Sequence, residues 1–104
     1  MLMEISLIQT DGAAELKLAG ELDMKSSVEL RKALRDLVSK RTPTIVVNLG
    51  AVPYVDSSGL ATLIECLQGV RGYQGSLRLS GVNARNRAVF ELARLDKVFD
   101  IRSE

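Results

Sequence analysis

The run Ile45-Val46-Val47-Asn48-Leu49 constrains this chain more than any other segment. It is short, rich in β-branched residues and shows little alternation, which suits a central strand covered on both faces. A helical pattern lies on each side of it. Upstream, Val28, Leu30, Ala33, Leu34, Leu37 and Val38 recur at helical spacing. Downstream, Leu60, Leu63, Ile64, Leu67 and Val70 do the same. A buried strand between two such helices predicts repeating α/β units, with right-handed crossovers and a largely parallel sheet.

The flanking segments complete the pattern. Residues 4–10 read as a strand, and Asp11-Gly12 as a hairpin turn whose two positions both need positive φ. Residues 14–19 alternate, with Leu16 and Leu18 on one face and Glu15 and Lys17 on the other. These first two strands are therefore expected to pair antiparallel. The first helix starts at Asp23 as N-cap, or at Ser26 with Glu29 closing a capping box, and ends over Ser39 to Thr42 and Pro43. The second helix is expected to close at Gly72 or Gly75, where glycine supplies the C-cap. Leu77 and Leu79 mark a fourth strand. Ala88, Val89, Leu92 and Ala93 mark a third helix, and Val98-Phe99-Asp100-Ile101 a last short strand. The expected fold is α/β, in the order β-β-α-β-α-β-α-β, with a mixed sheet packed with helices. Its first strand is antiparallel and the rest mostly parallel. No internal repeat, low-complexity tract or linker-like stretch divides the 104 residues, so one domain over 1–104 is expected.

Composition removes whole classes of chemistry. The chain has no histidine, so a Ser-His-Asp triad, a Cys-His pair and His-ligated zinc or haem are excluded. Its one cysteine, Cys66, can form no internal disulfide, which fits a reducing cytoplasm. Cys66 lies beside the stripe of the second helix and reads as a small buried thiol. With Lys+Arg 14 and Asp+Glu 13, the net charge of +1 gives no long-range pull toward nucleic acid or acidic membranes. No apolar run approaches the roughly 20 residues that span a bilayer. Met1-Leu2-Met3 meets Glu4 too soon for a signal peptide. No glycine-rich phosphate loop is present. These features favour a cytoplasmic protein that binds rather than catalyses.

One segment carries a functional signal: Tyr54-Val55-Asp56-Ser57-Ser58-Gly59-Leu60, between the central strand and the second helix. Open α/β folds place ligand and partner sites in such loops. A helix start leaves unpaired N–H groups and partial positive charge, and so accepts anions. Asp and Ser are also the ordinary N-caps. From the residues alone, Asp56 or Ser57 is either a cap or part of a site, and Asp23 is open in the same way. Asp56 and Ser57 supply an acid beside a hydroxyl, but adjacent side chains at a helix start rarely converge on one centre and no third group orients them; a non-enzyme is expected. Tyr54 is either a partner contact or packing under the loop. The basic residues of the first and third helices, among them Arg31, Arg35, Arg85, Arg87 and Arg94, read as a solvated face or as a surface for an acidic partner.

Gly20-Glu21-Leu22-Asp23 before the first helix and Val55-Asp56-Ser57-Ser58-Gly59-Leu60 before the second resemble the STAS domain, in particular the bacterial anti-sigma factor antagonists. Phe90-Glu91-Leu92 and Leu95-Asp96-Lys97-Val98-Phe99 resemble that family's C-terminal end, and the likeness covers essentially the whole chain. Gly81 to Arg87 departs from it in being more polar and basic than the usual start of the third helix. The resemblance implies a phosphorylation switch. The Ser after the Asp, here Ser57 with Ser58 as runner-up, is phosphorylated by an anti-sigma factor serine kinase. The unphosphorylated form binds that kinase and releases the sigma factor, and a serine phosphatase resets the switch. Glu21, Asp23, Asp56, Ser57, Ser58 and Gly59 are the implied partner-binding residues. This chain itself then needs no cofactor or metal, because ATP and metal ions belong to the partners. STAS domains also serve as accessory subunits that bind the ATPase of lipid-transporting ABC systems without a phosphorylation cycle. A third reading is an interaction module in another kinase–phosphatase relay.

Overall fold

A computed structural model describes residues 3–104; Met1 and Leu2, part of the segment weighed as a signal peptide, lie outside the described residues. Two strands open the chain, β1 (Glu4–Thr10) and β2 (Ala13–Ala19), followed by α1 (Ser26–Ser39), β3 (Thr44–Ala51), α2 (Ser57–Arg71), β4 (Ser76–Ser80), α3 (Ala84–Leu92) and β5 (Asp100–Ile101). The strands lie in the order β1-β2-β3-β4-β5 in one sheet. β1 pairs antiparallel with β2, and every other pairing is parallel. The element order and mixed sheet are those expected from the sequence.

Register explains the core. Leu16 lies opposite Val47, and Val47 opposite Leu79, so one face of the sheet carries Ala14, Leu16, Leu18, Ile45, Val47, Leu49, Leu77 and Leu79, all buried. Leu30, Leu34 and Leu37 of α1 and Leu63, Leu67 and Val70 of α2 join the same core. The other face pairs Glu15 with Val46 and Val46 with Arg78, and it stays partly exposed. The expected cover on both faces of β3 is therefore corrected to one. Val46 is apolar although it sits on the open face beside Glu15 and Arg78, so the run lacks the alternation of a half-buried strand.

Local chemistry accounts for other departures. In the hairpin only Gly12 takes positive φ, at 75°, and Asp11 does not. α1 is opened by reciprocal bonds between Asp23 and Ser26. The Ser26 amide donates to Asp23 Oδ1 at 3.0 Å, and the Asp23 amide donates to Ser26 Oγ at 2.9 Å. The box is thus Asp23 with Ser26, not Ser26 with Glu29. Val28, placed in the core stripe, is 48% exposed. At the end of α2, Gly72 is the C-cap, as expected, but it keeps φ −63°, and the left-handed residue is Gln74, at 63°.

The largest correction concerns α3. Its buried residues are Asn86 and Phe90, whereas Leu92 is 86% exposed and Ala88 and Ala93 are exposed as well. Residues two apart on a helix point about 200° apart. Burying Phe90 against Phe99 therefore turns Leu92 outward. β5 is shorter than expected, because Val98 is exposed and Phe99 fills the core instead of pairing.

Candidate functional site

The site forms where two loops leave adjacent parallel strands at the same end of the sheet. Gly20–Asp23 follows β2 and Val52–Asp56 follows β3. Backbone bonds lock them together. The Gly20 amide donates to the Ala51 carbonyl at 3.1 Å, the Leu22 amide to Tyr54 at 2.9 Å, and the Asp56 amide to Leu22 at 3.0 Å. Leu22 and Val55 form an isolated parallel bridge. Their side chains anchor the junction, at 0% and 1% exposure. The two acidic motifs thus become neighbours through ordinary strand geometry.

Asp56 resolves the choice between cap and site. Its backbone is extended and its Oδ1 accepts from the Gly59 amide at 3.0 Å, so Asp56 is the N-cap of α2. Ser57 is the first residue of α2 and is exposed, free of capping duty. Ser58 is half-buried, and its carbonyl accepts from the Thr62 hydroxyl at 2.9 Å. Of the two hydroxyl residues, Ser57 is the more open to a partner.

Asp23 also caps, accepting from the Ser26 and Lys25 amides at 3.0 Å each. The Ser26 amide, helped by the Ser26 hydroxyl, holds the Asp23 carboxyl below the usual carboxylate range against a smaller opposing effect of burial. Asp23 and Asp56 line one shallow depression with Met3, Met24, Lys25, Ser26 and Glu29. Glu21 does not line it. Its side chain is exposed, and its carbonyl accepts from Ser26 Oγ at 2.7 Å.

Gly59 is a packing requirement. A Cβ there would lie 2.6 Å from Leu22 Cγ and 3.1 Å from Val55 Cγ1, inside the junction that joins the loops. Gly59→Ala must displace Leu22, and it is expected to cost about 1–3 kcal/mol. A thermal unfolding midpoint equal to that of the unsubstituted protein would show that this contact does not hold the loops.

One exposed residue has no place in the sequence reading, and three residues named there find their contacts only in the fold. Met24 is 72% exposed beside Asp23, and an apolar residue out of phase with the α1 stripe was its only signal. Tyr54 is partly exposed with the Arg85 guanidinium 5.3 Å from its ring centroid, so it packs against α3 rather than beneath the loop. Arg31 and Arg35, read as solvated or partner-facing, approach Glu65 of α2 at 3.2 and 2.7 Å. Such exposed pairs contribute little to stability. Cys66 is buried, and burial pushes its thiol up to about 12, so it is protonated and inert at neutral pH. No helix among the described residues is long and apolar enough to cross a membrane. The described residues hold no group of three or more His, Cys, Asp or Glu placed to bind a metal ion.

Comparison with known proteins gives a consistent picture. The family model described as "Mlab, STAS domain" matches residues 5–102. An anti-sigma-B factor antagonist of Staphylococcus epidermidis is 30% identical over 101 residues, covering 97% of this chain and 94% of that protein. A solved anti-sigma factor antagonist from Mycobacterium paratuberculosis has the same fold, with a TM-score of 0.88 and 24% identity, over 98% of this chain and 86% of that one. The Bacillus cell fate determinant SpoIIAA, solved in its phosphorylated form, matches with a TM-score of 0.76 and 21% identity, over 94% of this chain and 90% of that one.

Proposed function

This chain belongs to the STAS domain family, and on that premise we propose that it is an anti-sigma factor antagonist switched by phosphorylation at Ser57. The unphosphorylated form binds an anti-sigma factor serine kinase and so frees the sigma factor. The kinase transfers the terminal phosphoryl group of ATP to Ser57 Oγ. The hydroxyl loses its proton, the bond to the leaving ADP breaks, and the modified protein no longer binds. A serine phosphatase restores the hydroxyl.

The observation that carries this reading is the division of labour at the start of α2. Asp56 caps the helix, and the exposed Ser57 beside it is left available. The relative named an anti-sigma-B factor antagonist supports the class of partner. A phosphate at Ser57 adds about −1.5 to −2 charges. The helix start tolerates an anion, because the amides of the first turn have no preceding helical carbonyl. A partner surface fitted to a neutral hydroxyl beside Asp56 does not.

Incubation with the cognate kinase and ATP, followed by mass spectrometry, tests the switch. One phosphate is expected on Ser57. Ser57→Ala should take none, and Ser58→Ala should still take one. Tight binding to the partner with no phosphate at Ser57 would instead support the accessory subunit of a lipid-transporting ABC system.

A further inference from the structure

The polar start of α3 grips the loop that carries Ser57. Asn86 is 0% exposed, an unusual place for an amide. Its Nδ2 donates to the Val52 carbonyl at 2.8 Å. That carbonyl can only accept, so the amide orientation is fixed by chemistry. Asn83 Nδ2 approaches the same oxygen at 3.5 Å, and Asn83 Oδ1 accepts from the Asn86 amide at 2.7 Å, capping α3. Arg85, between them, places its guanidinium over Tyr54. One turn of helix thus holds the loop at Val52 and at Tyr54. From there the bonds continue: the Tyr54 carbonyl accepts from Leu22, the Leu22 carbonyl from Asp56, and Asp56 caps α2 at Ser57.

Asn86 also carries a cost. Its Oδ1 is buried with no hydrogen-bond partner among the described residues. A buried unpaired acceptor is destabilising, and an apolar side chain of similar size would avoid it. What the amide provides that an apolar group cannot is the bond to Val52. We propose that Asn86 is a positioning residue, fixing residues 50–56 and through them the presentation of Ser57. This rests on the switch reading above.

Hydrogen exchange on the intact protein, with kinase assays alongside, tests it. In Asn86→Val the unfolding midpoint should change little, because the unpaired Oδ1 is removed while the Val52 carbonyl loses its donor. The amides of Leu22, Val52 and Asp56 should nevertheless exchange at least about tenfold faster, while those of central β3 keep their protection. The kcat/KM for phosphorylation of Ser57 should drop about fivefold or more. Asn86→Ser, whose hydroxyl is too short to reach Val52, provides the same comparison should the valine variant not fold. Unchanged exchange at these amides overturns the clamp. Faster exchange with an unchanged phosphorylation rate overturns the positioning role. An unsubstituted protein that takes no phosphate overturns the switch reading instead, and the exchange measurement still decides whether Asn86 holds the loop.

Discussion

Ser57→Asp is expected to weaken binding to the cognate anti-sigma factor by about 100-fold or more, while Ser57→Ala binds as the unsubstituted protein does. A hundredfold corresponds to roughly 2.7 kcal/mol, within what like charges at an interface cost. The substituted carboxylate would add its charge directly beside Asp56, the N-cap of α2. Folding should move the other way. A negative charge in the first turn of a helix is stabilising by about 0.3–1 kcal/mol, so Ser57→Asp should melt at or slightly above the unsubstituted protein. Loss of binding with retained stability separates a charge switch from simple misfolding. Added salt should recover part of the lost affinity, because exposed charges are screened. Titration calorimetry at low and high salt measures both effects; equal binding by the aspartate and alanine variants would refute the charge mechanism. Phosphoserine carries more charge than aspartate, so the aspartate value is a lower bound.

The parts of this fold that were legible are those in which one periodicity dominates. β2 alternates cleanly, and Leu30, Leu34 and Leu37 turn inward as their spacing requires. β3 was harder, because Val46 is apolar yet sits on the open face between Glu15 and Arg78. α3 resists a reading by pattern because it is only nine residues long and its buried face is set by distant partners, Phe99 for Phe90 and the Val52 carbonyl for Asn86. A lone asparagine within a basic stretch looks like surface; only its long-range bond reveals that it is core.

The site was legible in its residues and not in its wiring. Asp23, Asp56 and Ser57 could be named from motifs at helix starts. Asp and Ser cap equally well, however, so sequence could not choose between Asp56 and Ser57. The choice is made by geometry: Asp56 is held extended by the hydrogen bond its amide donates to the Leu22 carbonyl, which aims its carboxylate at the Gly59 amide. That bond joins residues far apart in the chain and leaves no local signature. The exposed Met24 and the Arg85–Tyr54 pair are of the same kind, since exposure and stacking follow from packing rather than pattern.

Phe90→Ala is expected to have the largest effect on stability of any single truncation in this chain. Phe90 is 0% exposed and meets Phe99 edge to face, with ring centroids 5.7 Å apart. Truncating a buried phenylalanine costs about 3–5 kcal/mol. That is a large share of the roughly 5–15 kcal/mol that stabilises a typical domain. Both of the chain's phenylalanines meet in this pair, so truncating one leaves the other without its aromatic partner. α3 is also too short to remain helical without its tertiary anchor. A fall in the unfolding midpoint of about 12 °C or more is expected. Leu92→Ala is the control. At 86% exposure it should change stability by no more than about 0.5 kcal/mol, although both residues belong to the same helix and both are large and apolar. Comparable losses from the two variants would mean that the orientation of α3 is wrong. The effect also reaches the switch. Asn86 lies one turn before Phe90 on the same face, so losing the aromatic anchor should loosen the bond to Val52. The amides of Leu22 and Asp56 should then lose more protection than those of β2 and β3, because their loops are tied to α3 by hydrogen bonds as well as by the shared core.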